Sequence, residues 1–412
     1  MKIYIPQKVK SIMSKLEENG YEAYMVGGCV RDSLLGRNPK DYDIATNALP
    51  NDVIEIFGHH RTIPTGLKHG TVTVVMDGES FEVTTYRTDM KYTDGRRPDE
   101  VKFESSIEKD LSRRDFTINA IAYNDKNGLI DIYNGRRDLD NKIIRCVGEP
   151  DERFKEDALR MMRAIRFSAE LGFNIEDDTM AAIIKNKERL SKVSMERVTF
   201  ELNRIILSHN TEKIYLLIQT MLMDYIEPKF NPLEPKSLKV LEFIENKLYL
   251  RIAALFIICD MNQYEARSIL KRLKYDNNTT NKTVEIIKYS GLDIKEDTVY
   301  IRQNLSKMGL EVFLDILNLK IAFIMASESP CIDNGINRIE KVKKAAEDVI
   351  NRNECIGIKD LAVSGEDIVG LGLKGKYVGD MLDELLSMVI VDPELNKRER
   401  LISVAQGKIG KK

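Results

Sequence analysis

Hydrophobic and polar residues alternate in several short runs of the first third of the chain, as expected of half-buried β-strands. The runs are YEAYMV, KDYDIAT, GTVTVVM and ESFEVTTYR. Asp77-Gly78 joins the last two runs and is typical of a two-residue hairpin turn. Helical spacing is found in residues 1–20 and in VRDSLLG, where Gly36 is the expected helix end. This pattern predicts a mixed α/β region that extends to about residue 145.

From there onward, hydrophobic residues recur every three or four positions, which is the period of an amphipathic helix. The first helical segment is EPDERFKEDALRMMRAIRFSAELGF, and Gly172 is its expected C-terminal end. The later segments are SMERVTFELNRIILS, TEKIYLLIQTMLMDYI, SLKVLEFIENKLYLRIAALFIICD, YEARSILKRLKY, LEVFLDILNLKIAFIMA and NRIEKVKKAAEDVIN. The sequence has neither a fixed-period repeat nor a low-complexity tract. The pattern therefore predicts a small α/β head followed by an all-helical remainder.

Composition narrows the class of protein. A chain of 412 residues is too long for one ordinary core, so about two to four domains are expected. Hydrophobic residues make up 43% and charged residues 31%, which is typical of a globular protein. The longest apolar runs, such as YLRIAALFIIC, are shorter than the roughly 18–20 residues that span a bilayer. The N-terminal segment lacks the features of a signal peptide, so neither a membrane segment nor a leader is expected.

The cysteines and the net charge narrow the possible sites and partners further. The five cysteines form no CxxC pair, which argues against a zinc site or a disulfide framework and favours a reducing cytoplasm. A net charge of −2 and a pI of about 6.2 argue against coating of nucleic acid by bulk charge. The 63 lysines and arginines can still form a local basic surface, so composition leaves the partner open.

The stretch from Met25 to Thr46, MVGGCVRDSLLGRNPKDYDIAT, carries the first candidate chemistry. Asp41 and Asp43 are two residues apart, so in an extended segment both side chains project to one face. Glu82 on a later strand offers a third carboxylate. Three converging carboxylates could hold two metal ions about 3.5–4 Å apart, as in two-metal nucleotidyl transfer. The alternative is a solvated strand face, which is the commoner setting of an isolated D-x-D pair.

Residues earlier in the same stretch favour the metal hypothesis. Gly27 and Gly28 lie between a predicted strand and a predicted helix, where backbone amides can approach a phosphate closely. Arg31 follows in the first helical turn and can pair with a triphosphate. A glycine turn, an arginine and a same-face aspartate pair together indicate nucleotidyl transfer, although a glycine pair alone usually marks only a turn.

Six segments in this order resemble the successive motifs of the class II CCA-adding enzymes, which are tRNA nucleotidyltransferases. They are GGCVRDSLLGRNPKDYDIAT, GTVTVV, FEVTTYR, RRDFTINAIAY, DIYNGRRDLDNKIIRCVG and EDALRMMRAIRF. The resemblance is dense over residues 21–175 and weaker in SMERVTFELNRII and DLAVSGEDIVGLGLKGKYVGDMLDELL. It implies a polymerase-beta-like nucleotidyltransferase head with a mixed sheet, followed by an all-α neck, body and tail. It also implies addition of C, C and A to tRNA 3′ ends without a nucleic-acid template, using CTP, ATP and Mg²⁺.

Residue by residue, the resemblance implies that Asp41 and Asp43 are the metal ligands and that Glu82 occupies the third-carboxylate position. It also implies that Gly28 and Arg31 contact the nucleotide.

A further nucleotide contact falls in RRDFTINA, where Arg114 matches a nucleotide-contacting arginine of the family. The alternative for that stretch is a helix whose Ile118, Ile121 and Ala122 pack inward while Arg114 is only solvated.

The segment EDALRMMRAIRF suggests how the base is selected. Asp157, Arg160, Arg163 and Arg166 are spaced by three, so on one helix Asp157 and Arg160 would be neighbours. Cytosine and adenine both present an amino donor beside a ring-nitrogen acceptor, which a carboxylate beside a guanidinium matches. Uracil and guanine place a carbonyl in the amino position and should be refused. We therefore predict that Asp157 and Arg160 read the base and that Arg163 and Arg166 reach phosphates or the RNA end.

The structural alternative for this segment is an exposed helix on which Glu156 and Arg160 form an i,i+4 ion pair, which contributes only about 0.3–0.5 kcal/mol.

The loop YRTDMKYTDGRRP resembles the flexible element that full CCA-adding enzymes have and CC-adding relatives lack. The residues that match the family pattern are Arg87, Tyr92, Asp94, Arg96, Arg97 and Pro98. An ordinary loop is the alternative, and the loop does not exclude an enzyme that adds only A. None of the four histidines is followed by aspartate, so an HD phosphohydrolase domain is not expected.

The expected division is a catalytic head over 1–145, a neck with the base-recognition helix over 146–210, a helical body over 211–300 and a tRNA-binding tail over 301–412. The expected partners are tRNA, ATP and CTP, without a membrane or a protein partner. Lys271, Arg272, Lys274 and Tyr275 are candidate contacts to tRNA phosphates, although a solvated face is the simpler interpretation. The alternatives are an A-adding enzyme or poly(A) polymerase and, more remotely, a catalytically silent RNA-binding protein.

Overall fold

The computed structural model describes residues 2–89, 101–327 and 332–409. The chain forms two compact units. The first comprises the residues up to Leu233 together with Arg272–Lys274, and the second comprises Glu234–Lys271 and the residues from Tyr275 onward.

The strands all belong to the first unit. They are β1 Ala23–Val26, β2 Asp43–Thr46, β3 Thr62–Gly66, β4 Thr71–Met76, β5 Glu79–Thr85, β6 Arg87–Asp89, β7 Val101–Phe103, β8 Ala122–Asn124, β9 Gly128–Ile130, β10 Ile143–Ile144 and β11 Asn174–Ile175.

Helices occur in both units and make up most of the chain after residue 145. Those up to residue 233 are α1 Gln7–Glu18, α2 Gly28–Leu34, α3 Pro50–Phe57, α4 Ile107–Ser112, α5 Gly135–Asn141, α6 Pro150–Glu156, α7 Leu159–Leu171, α8 Asp177–Asn186, α9 Met195–Ile206, α10 Tyr215–Gln219 and α11 Met223–Ile226. Those that follow are α12 Pro235–Leu238, α13 Leu248–Ile258, α14 Gln263–Arg272, α15 Asn277–Tyr289, α16 Thr298–Ala326, α17 Ile332–Asn351, α18 Gly365–Gly370, α19 Lys376–Val391 and α20 Arg398–Ile409. No helix in the described ranges is long and apolar enough to cross a membrane.

The head is built on a seven-stranded mixed sheet in the order β3-β4-β5-β2-β1-β8-β9. Strands β2 and β5 are parallel, and the other neighbouring pairs are antiparallel. The hairpin between β4 and β5 turns at Asp77 and Gly78, whose φ angles of 49° and 78° are those of a primed turn. The predicted α/β head with a helical remainder is confirmed.

The register of the central strands places the candidate residues in one row. Val26, the last residue of β1, pairs with Asp43 of β2 on one side and with Ala122 of β8 on the other. Asp43 in turn lies opposite Glu82 of β5. Helix α4 covers this part of the sheet, because Ile107 and other apolar side chains of that helix share one buried cluster with Val26. The two carboxylates of this row, Asp43 and Glu82, therefore lie on strands next to the buried cluster that contains Val26.

Four of the predicted elements differ in the structure. The helix predicted in SLKVLEFIENKLYLRIAALFIICD is divided into α12, a 3₁₀ turn at Lys239–Phe243 and α13. The helix predicted to end at Gly172 is two helices, α6 and α7, because Asp157 has an extended backbone with φ −141° and ψ 105°. The helix predicted in TEKIYLLIQTMLMDYI is interrupted at Met221, whose φ is 59°. Residues Thr117–Asn119 form a 3₁₀ turn and not a helix, although Ile118 is fully buried as that alternative required.

The predicted long loop is also only partly a loop. Its two ends, Arg87–Asp89 and Val101–Phe103, pair as the antiparallel strands β6 and β7. The intervening residues that match the family pattern lie outside the described ranges, so the prediction that they form a flexible element stays a prediction.

Candidate active site

The turn after β1 requires glycine at one position. Gly27 has φ 71° and ψ −125°, a conformation that residues with a side chain rarely adopt. A Cβ atom on Gly27 would lie 2.9 Å from Nη1 of Arg114, which is closer than real contacts allow. Gly28, the predicted nucleotide contact, begins α2 without a positive φ. Gly27 is therefore the residue that lets the chain pass close to Arg114.

A cavity of about 480 Å³ opens beside this turn, and we call it the arginine cavity. Its lining residues are Gly27, Gly28, Arg31, Asp43, Arg113, Arg114, Asp115, Asn119, Asp157, Arg160, Arg163, Arg166, Phe167 and Arg204. The structure thus brings together all the predicted site residues except Asp41 and Glu82.

Asp41 lies in a second cavity of about 440 Å³, which we call the Asp41 cavity. This cavity shares Gly28, Arg31, Asp43 and Arg204 with the arginine cavity. Strand β2 begins at Asp43, so Asp41 precedes the strand, but both carboxylates line the same space. Glu82 lines neither cavity. It is adjacent to the site because it lies opposite Asp43 where β5 pairs with β2.

The electrostatics at Asp43 reflect the surrounding carboxylates. Partial desolvation, followed by the nearby charge of Glu82, raises the pKa of Asp43, while Arg114 opposes the shift. Within the described ranges, no group of three or more His, Cys, Asp or Glu residues is arranged to hold a metal ion by itself. Magnesium commonly binds through one or two carboxylates together with substrate phosphates, so the pair Asp41 and Asp43 is sufficient for such a site.

Two of the cavity arginines are oriented by neighbouring side chains. Arg31 donates from Nη1 to Oδ1 of Asn119 at 2.7 Å and from Nε to Oδ1 of Asp32 at 2.9 Å. Arg114 donates from Nη2 to Oδ2 of Asp110 at 3.0 Å. Burial alone would raise the pKa of the Asp110 carboxyl, but the guanidiniums of Arg114 and Arg113 lower it. Asp110 is therefore ionised at neutral pH and holds Arg114 against the glycine turn.

Asp115 links two sides of the arginine cavity. Its Oδ2 accepts a hydrogen bond of 2.8 Å from Nε of Arg163, and its Oδ1 accepts from Nδ2 of Asn119 at 3.1 Å. Burial would raise the pKa of Asp115, yet Arg163 and Asn119 hold it well below its usual range. Since Asn119 also binds Arg31, one buried carboxylate fixes two guanidiniums from different helices.

Phe167 forms the aromatic centre of the cavity. The guanidinium carbons of Arg166, Arg31 and Arg163 lie 4.2, 5.2 and 5.3 Å from its ring centroid, within the range of cation–π interactions. Arg166 is only 3% exposed, and burial lowers its pKa to about 10, so it stays charged at neutral pH. Its countercharge is Glu201 of α9, whose Oε2 lies 3.1 Å from Nε of Arg166.

The predicted base-reading pair differs from the arrangement expected of one continuous helix. Asp157 lies between α6 and α7, where its Oδ1 accepts from the Leu159 amide at 3.0 Å and its Oδ2 from Nη2 of Arg197 at 3.0 Å. Arg160 donates from Nη1 to Oε2 of Glu156 at 2.6 Å, the ion pair of the structural alternative. The prediction that Asp157 and Arg160 are neighbours on one helix is therefore wrong, because the backbone leaves the helix at Asp157. Both residues nevertheless line the arginine cavity.

Sequence reasoning missed several residues that shape the site. They are Asp115, Asn119, Phe167, Arg197, Glu201 and Arg204. The best available signal was at Glu201, a carboxylate in the apolar stripe of α9 beside Val198 and Leu202, since a charged residue on a buried face needs a partner.

One basic group proposed for RNA contact has a structural partner instead. Nη1 of Arg272 donates to the Ile226 carbonyl oxygen at 2.9 Å, and its Nη2 pairs with Glu227.

The arrangement is suited to a polyanionic ligand. Arg114 lines the arginine cavity, and its Nε is a buried donor without a hydrogen-bond partner in the part of the chain that the structure describes. Buried donors are normally satisfied, so such an atom at a cavity indicates a ligand with acceptor oxygens. Guanidiniums and the Asp41–Asp43 pair, which line two cavities that share Asp43, are groups that phosphoryl transfer requires.

Three family profiles match the chain in succession. They are described as "Poly A polymerase head domain" over residues 23–145, "Probable RNA and SrmB- binding site of polymerase A" over 172–233 and "tRNA nucleotidyltransferase domain 2 putative" over 247–405.

Similar proteins cover nearly the whole chain. The CCA-adding enzyme of Ligilactobacillus salivarius (strain UCC118) is 37% identical over 415 residues, which span 97% of this chain and 96% of that protein. The CCA-adding enzyme of Geobacillus stearothermophilus is 37% identical over 402 residues, with coverage of 96% and 95%. The crystal structure of the Bacillus stearothermophilus CCA-adding enzyme in complex with CTP matches with a TM-score of 0.82 at 33% identity, over 98% of each chain.

Proposed function

The chain belongs to the CCA-adding enzymes, and on that premise we propose how its residues add C, C and A to the 3′ end of tRNA. The enzyme is a tRNA nucleotidyltransferase, and its substrates are tRNA, CTP and ATP. The observation that carries the proposal is the arginine cavity, which Asp43 lines together with Arg31, Arg114 and Arg160 beside a glycine turn.

The carboxylate pair fits a divalent cation. Asp41 and Asp43 line one cavity, and the neighbouring Glu82 charge that raises the pKa of Asp43 is the kind of repulsion that a bound cation relieves. Nucleotidyltransferases of this family use divalent metal ions, and we propose Mg²⁺, which prefers carboxylate oxygens and substrate phosphates. When bound, the cation supplies charge that favours the alkoxide form of the terminal ribose hydroxyl and the pyrophosphate leaving group.

In the proposed reaction, the 3′ oxygen of the RNA attacks the α-phosphorus of CTP or ATP. A phosphodiester bond forms, the bond from the α-phosphorus to the bridging oxygen of pyrophosphate breaks, and the hydroxyl proton passes to solvent. Arg31 and Arg114 bind the triphosphate, where their positive charge stabilises the transition state. Asn119 and Asp110 hold these two side chains in place beforehand, so little reorganisation is needed when the nucleotide arrives.

Base selection is assigned to Asp157 and Arg160. Each carboxylate oxygen of Asp157 accepts one hydrogen bond in the structure and has a further lone pair for the amino group of cytosine or adenine. Arg160 would donate to the ring nitrogen, which requires the guanidinium to turn from Glu156 toward the base. Arg163 and Arg166 would complete the nucleotide site through their positive charge beside Phe167.

Nucleotide incorporation on three tRNA transcripts tests this function. The transcripts end at the discriminator base, at C and at CC, and each receives CTP, ATP, UTP or GTP alone, or CTP with ATP. We expect two C additions, then one A, then a stop, with no product from UTP or GTP. A single A added only to the CC end would indicate an A-adding enzyme. A long A ladder would indicate a poly(A) polymerase, and the absence of any product would indicate a silent RNA-binding protein.

Two further assignments belong to the same proposal. We propose the division into a head over 1–145, a neck over 146–210, a body over 211–300 and a tRNA-binding tail over 301–412. We also propose a cytoplasmic location, since Cys29, Cys146, Cys259 and Cys355 are free thiols, as in a reducing compartment.

A further inference from the structure

The Asp41 cavity has lining residues that the nucleotide-binding mechanism does not use. The loop between α2 and β2 contributes Arg37, Asn38 and Lys40, which line this cavity but not the arginine cavity. Asp157 and Arg160 line only the arginine cavity. The two cavities therefore share the catalytic carboxylate Asp43 but differ in the groups that surround it.

The charges of the Asp41 cavity are unevenly neutralised. Arg31 is paired with Asp32 at 2.8 Å, and Arg204 donates from Nε to Oε1 of Glu170 at 2.8 Å. The Arg37 and Lys40 side chains are both exposed, and neither has a carboxylate partner among the residues that the structure describes. Two cations next to a catalytic aspartate, without countercharges of their own, are suited to an external anion.

An exposed aromatic ring lies beside Arg204, which is one of the residues that line this cavity. Phe200 of α9 is 59% exposed although its neighbours Val198 and Leu202 are buried. It stands one helical turn before Arg204, whose guanidinium carbon lies 5.9 Å from the ring centroid. A solvent-facing phenylalanine beside an arginine is the combination on which single-stranded nucleic acids stack their bases.

Nucleotidyl transfer needs two substrates that meet at the metal-binding carboxylates from different sides. The arginine cavity contains the candidate base-reading residues and therefore accounts for the incoming nucleotide. We propose that the Asp41 cavity binds the 3′-terminal nucleotides of the RNA acceptor, with Arg37 and Lys40 on its phosphates and Phe200 stacked on a base beside Arg204. This assignment rests on the proposed function and adds to it the residues that hold the second substrate.

Steady-state kinetics of the full-length enzyme distinguish the two sites. The RNA substrate is a tRNA transcript that ends at the discriminator base. The variants are Arg37→Gln, Lys40→Gln, Phe200→Ala and Phe200→Tyr, and KM is measured separately for tRNA and for CTP. We expect KM for tRNA to rise about 5- to 20-fold in Arg37→Gln, Lys40→Gln and Phe200→Ala, since each loses one phosphate or stacking contact. KM for CTP should stay within about twofold of wild type, and Phe200→Tyr should restore the tRNA value because tyrosine retains the ring.

Lys126→Gln is the matched control, since Lys126 is an exposed cation in the β8–β9 turn and lines neither cavity. Calorimetric binding of CTP to each variant verifies that the nucleotide site is folded. Unchanged KM for tRNA in the three variants, or an equal rise of both KM values, overturns the assignment. If the wild-type enzyme incorporates no nucleotide on any transcript, the proposed function itself fails, which is a separate outcome.

Discussion

Among single residues, Asp41 and Asp43 differ in how much the fold depends on them. Asp43 begins β2 and pairs with Val26 and Glu82 in the sheet, whereas Asp41 precedes the strand. A substitution at Asp41 therefore changes the chemistry of the cavity with little effect on the sheet. This makes Asp41 the better position at which to test the metal assignment.

We predict that Asp41→Ala lowers the rate of CTP incorporation by about 10³-fold or more, because one of two proposed metal-binding carboxylates is lost. Thermal unfolding followed by circular dichroism should be unchanged. Glu79→Gln serves as control, since Glu79 is an exposed carboxylate paired only with Lys8 at the surface. Full activity of Asp41→Ala would exclude this residue as a metal ligand.

Gly27 offers a second test at the residue scale, because it combines a positive φ with a close neighbour. Gly27→Ala should raise KM for CTP at least about tenfold, since the new methyl group displaces Arg114 and the backbone is strained. Gly20 also has a positive φ of 86°, but no atom lies near its Cβ position.

Gly20→Ala is therefore the control for strain alone, and it should lose stability without a change in KM. Equal KM values in the two variants would show that Arg114 does not depend on the glycine turn.

At the scale of elements, local patterns predicted four of the seven strands of the main sheet, namely β1, β2, β4 and β5, and several of the longer helices. β4, β5 and their Asp77-Gly78 turn follow from alternation and turn chemistry, which act between neighbouring residues. The break at Asp157 could not be predicted from periodicity, because the segment keeps helical spacing across it. Asp157 leaves the helix where its carboxylate binds the Leu159 amide and Arg197, and that last contact spans 40 residues.

In the candidate site, too, the features that depend on long-range contacts could not be predicted from the sequence. The candidate ligand-binding residues were predicted from charge and motif, whereas Asp115 and Glu201, which hold the arginines, act through tertiary contacts. Such supporting residues become visible only when α7 is packed against α9 and against the segment that carries Asp115. Buried carboxylates that position cations are therefore the part of this site that sequence reasoning missed.

Asp115 also permits a test of how these elements are held together. Its pKa is lowered in the folded state, so its ionisation contributes stability that is present above the unfolded value of about 3.9 and is lost as pH falls below it. We predict that Asp115→Asn lowers stability by about 3–5 kcal/mol at pH 7, because the largely buried Arg163 loses its nearest countercharge and keeps only the more distant Glu201. The deficit relative to wild type should shrink as pH falls from 5 to 3.

Thermal unfolding followed by circular dichroism at pH 7, 5 and 3 measures this difference. The exposed ion pair of Asp125 with Lys10 makes Asp125→Asn a suitable control, for which little change is expected. A deficit of the same size at all three pH values would indicate that the lost packing of Asp115, and not its charge, is responsible.

For the whole molecule, the distribution of charge bears on how a polyanionic tRNA is bound by a chain of net charge −2. The second unit does expose cations on α17, but they alternate with carboxylates. Lys343 lies 2.9 Å from Glu340, and Lys341 lies 3.9 Å from Glu296. A surface in which both signs are mixed attracts RNA weakly at long range, so recognition must rely on shape and on a few local phosphate contacts.

Because both signs of charge are mixed on this surface, tRNA binding should depend only modestly on salt concentration. If about three phosphates are neutralised, kcat/KM for tRNA should fall about 10- to 30-fold between 50 and 200 mM KCl, whereas six to ten contacts would reduce it by about 10³ or more. The slope of log kcat/KM against log salt concentration should become less steep by about one unit in the Arg37→Gln variant, which removes one proposed contact. Lys126→Gln should leave the slope unchanged. A loss of about 10³-fold in the wild-type enzyme would instead mean that a continuous basic surface, and not a few contacts near the active site, dominates the attraction of tRNA.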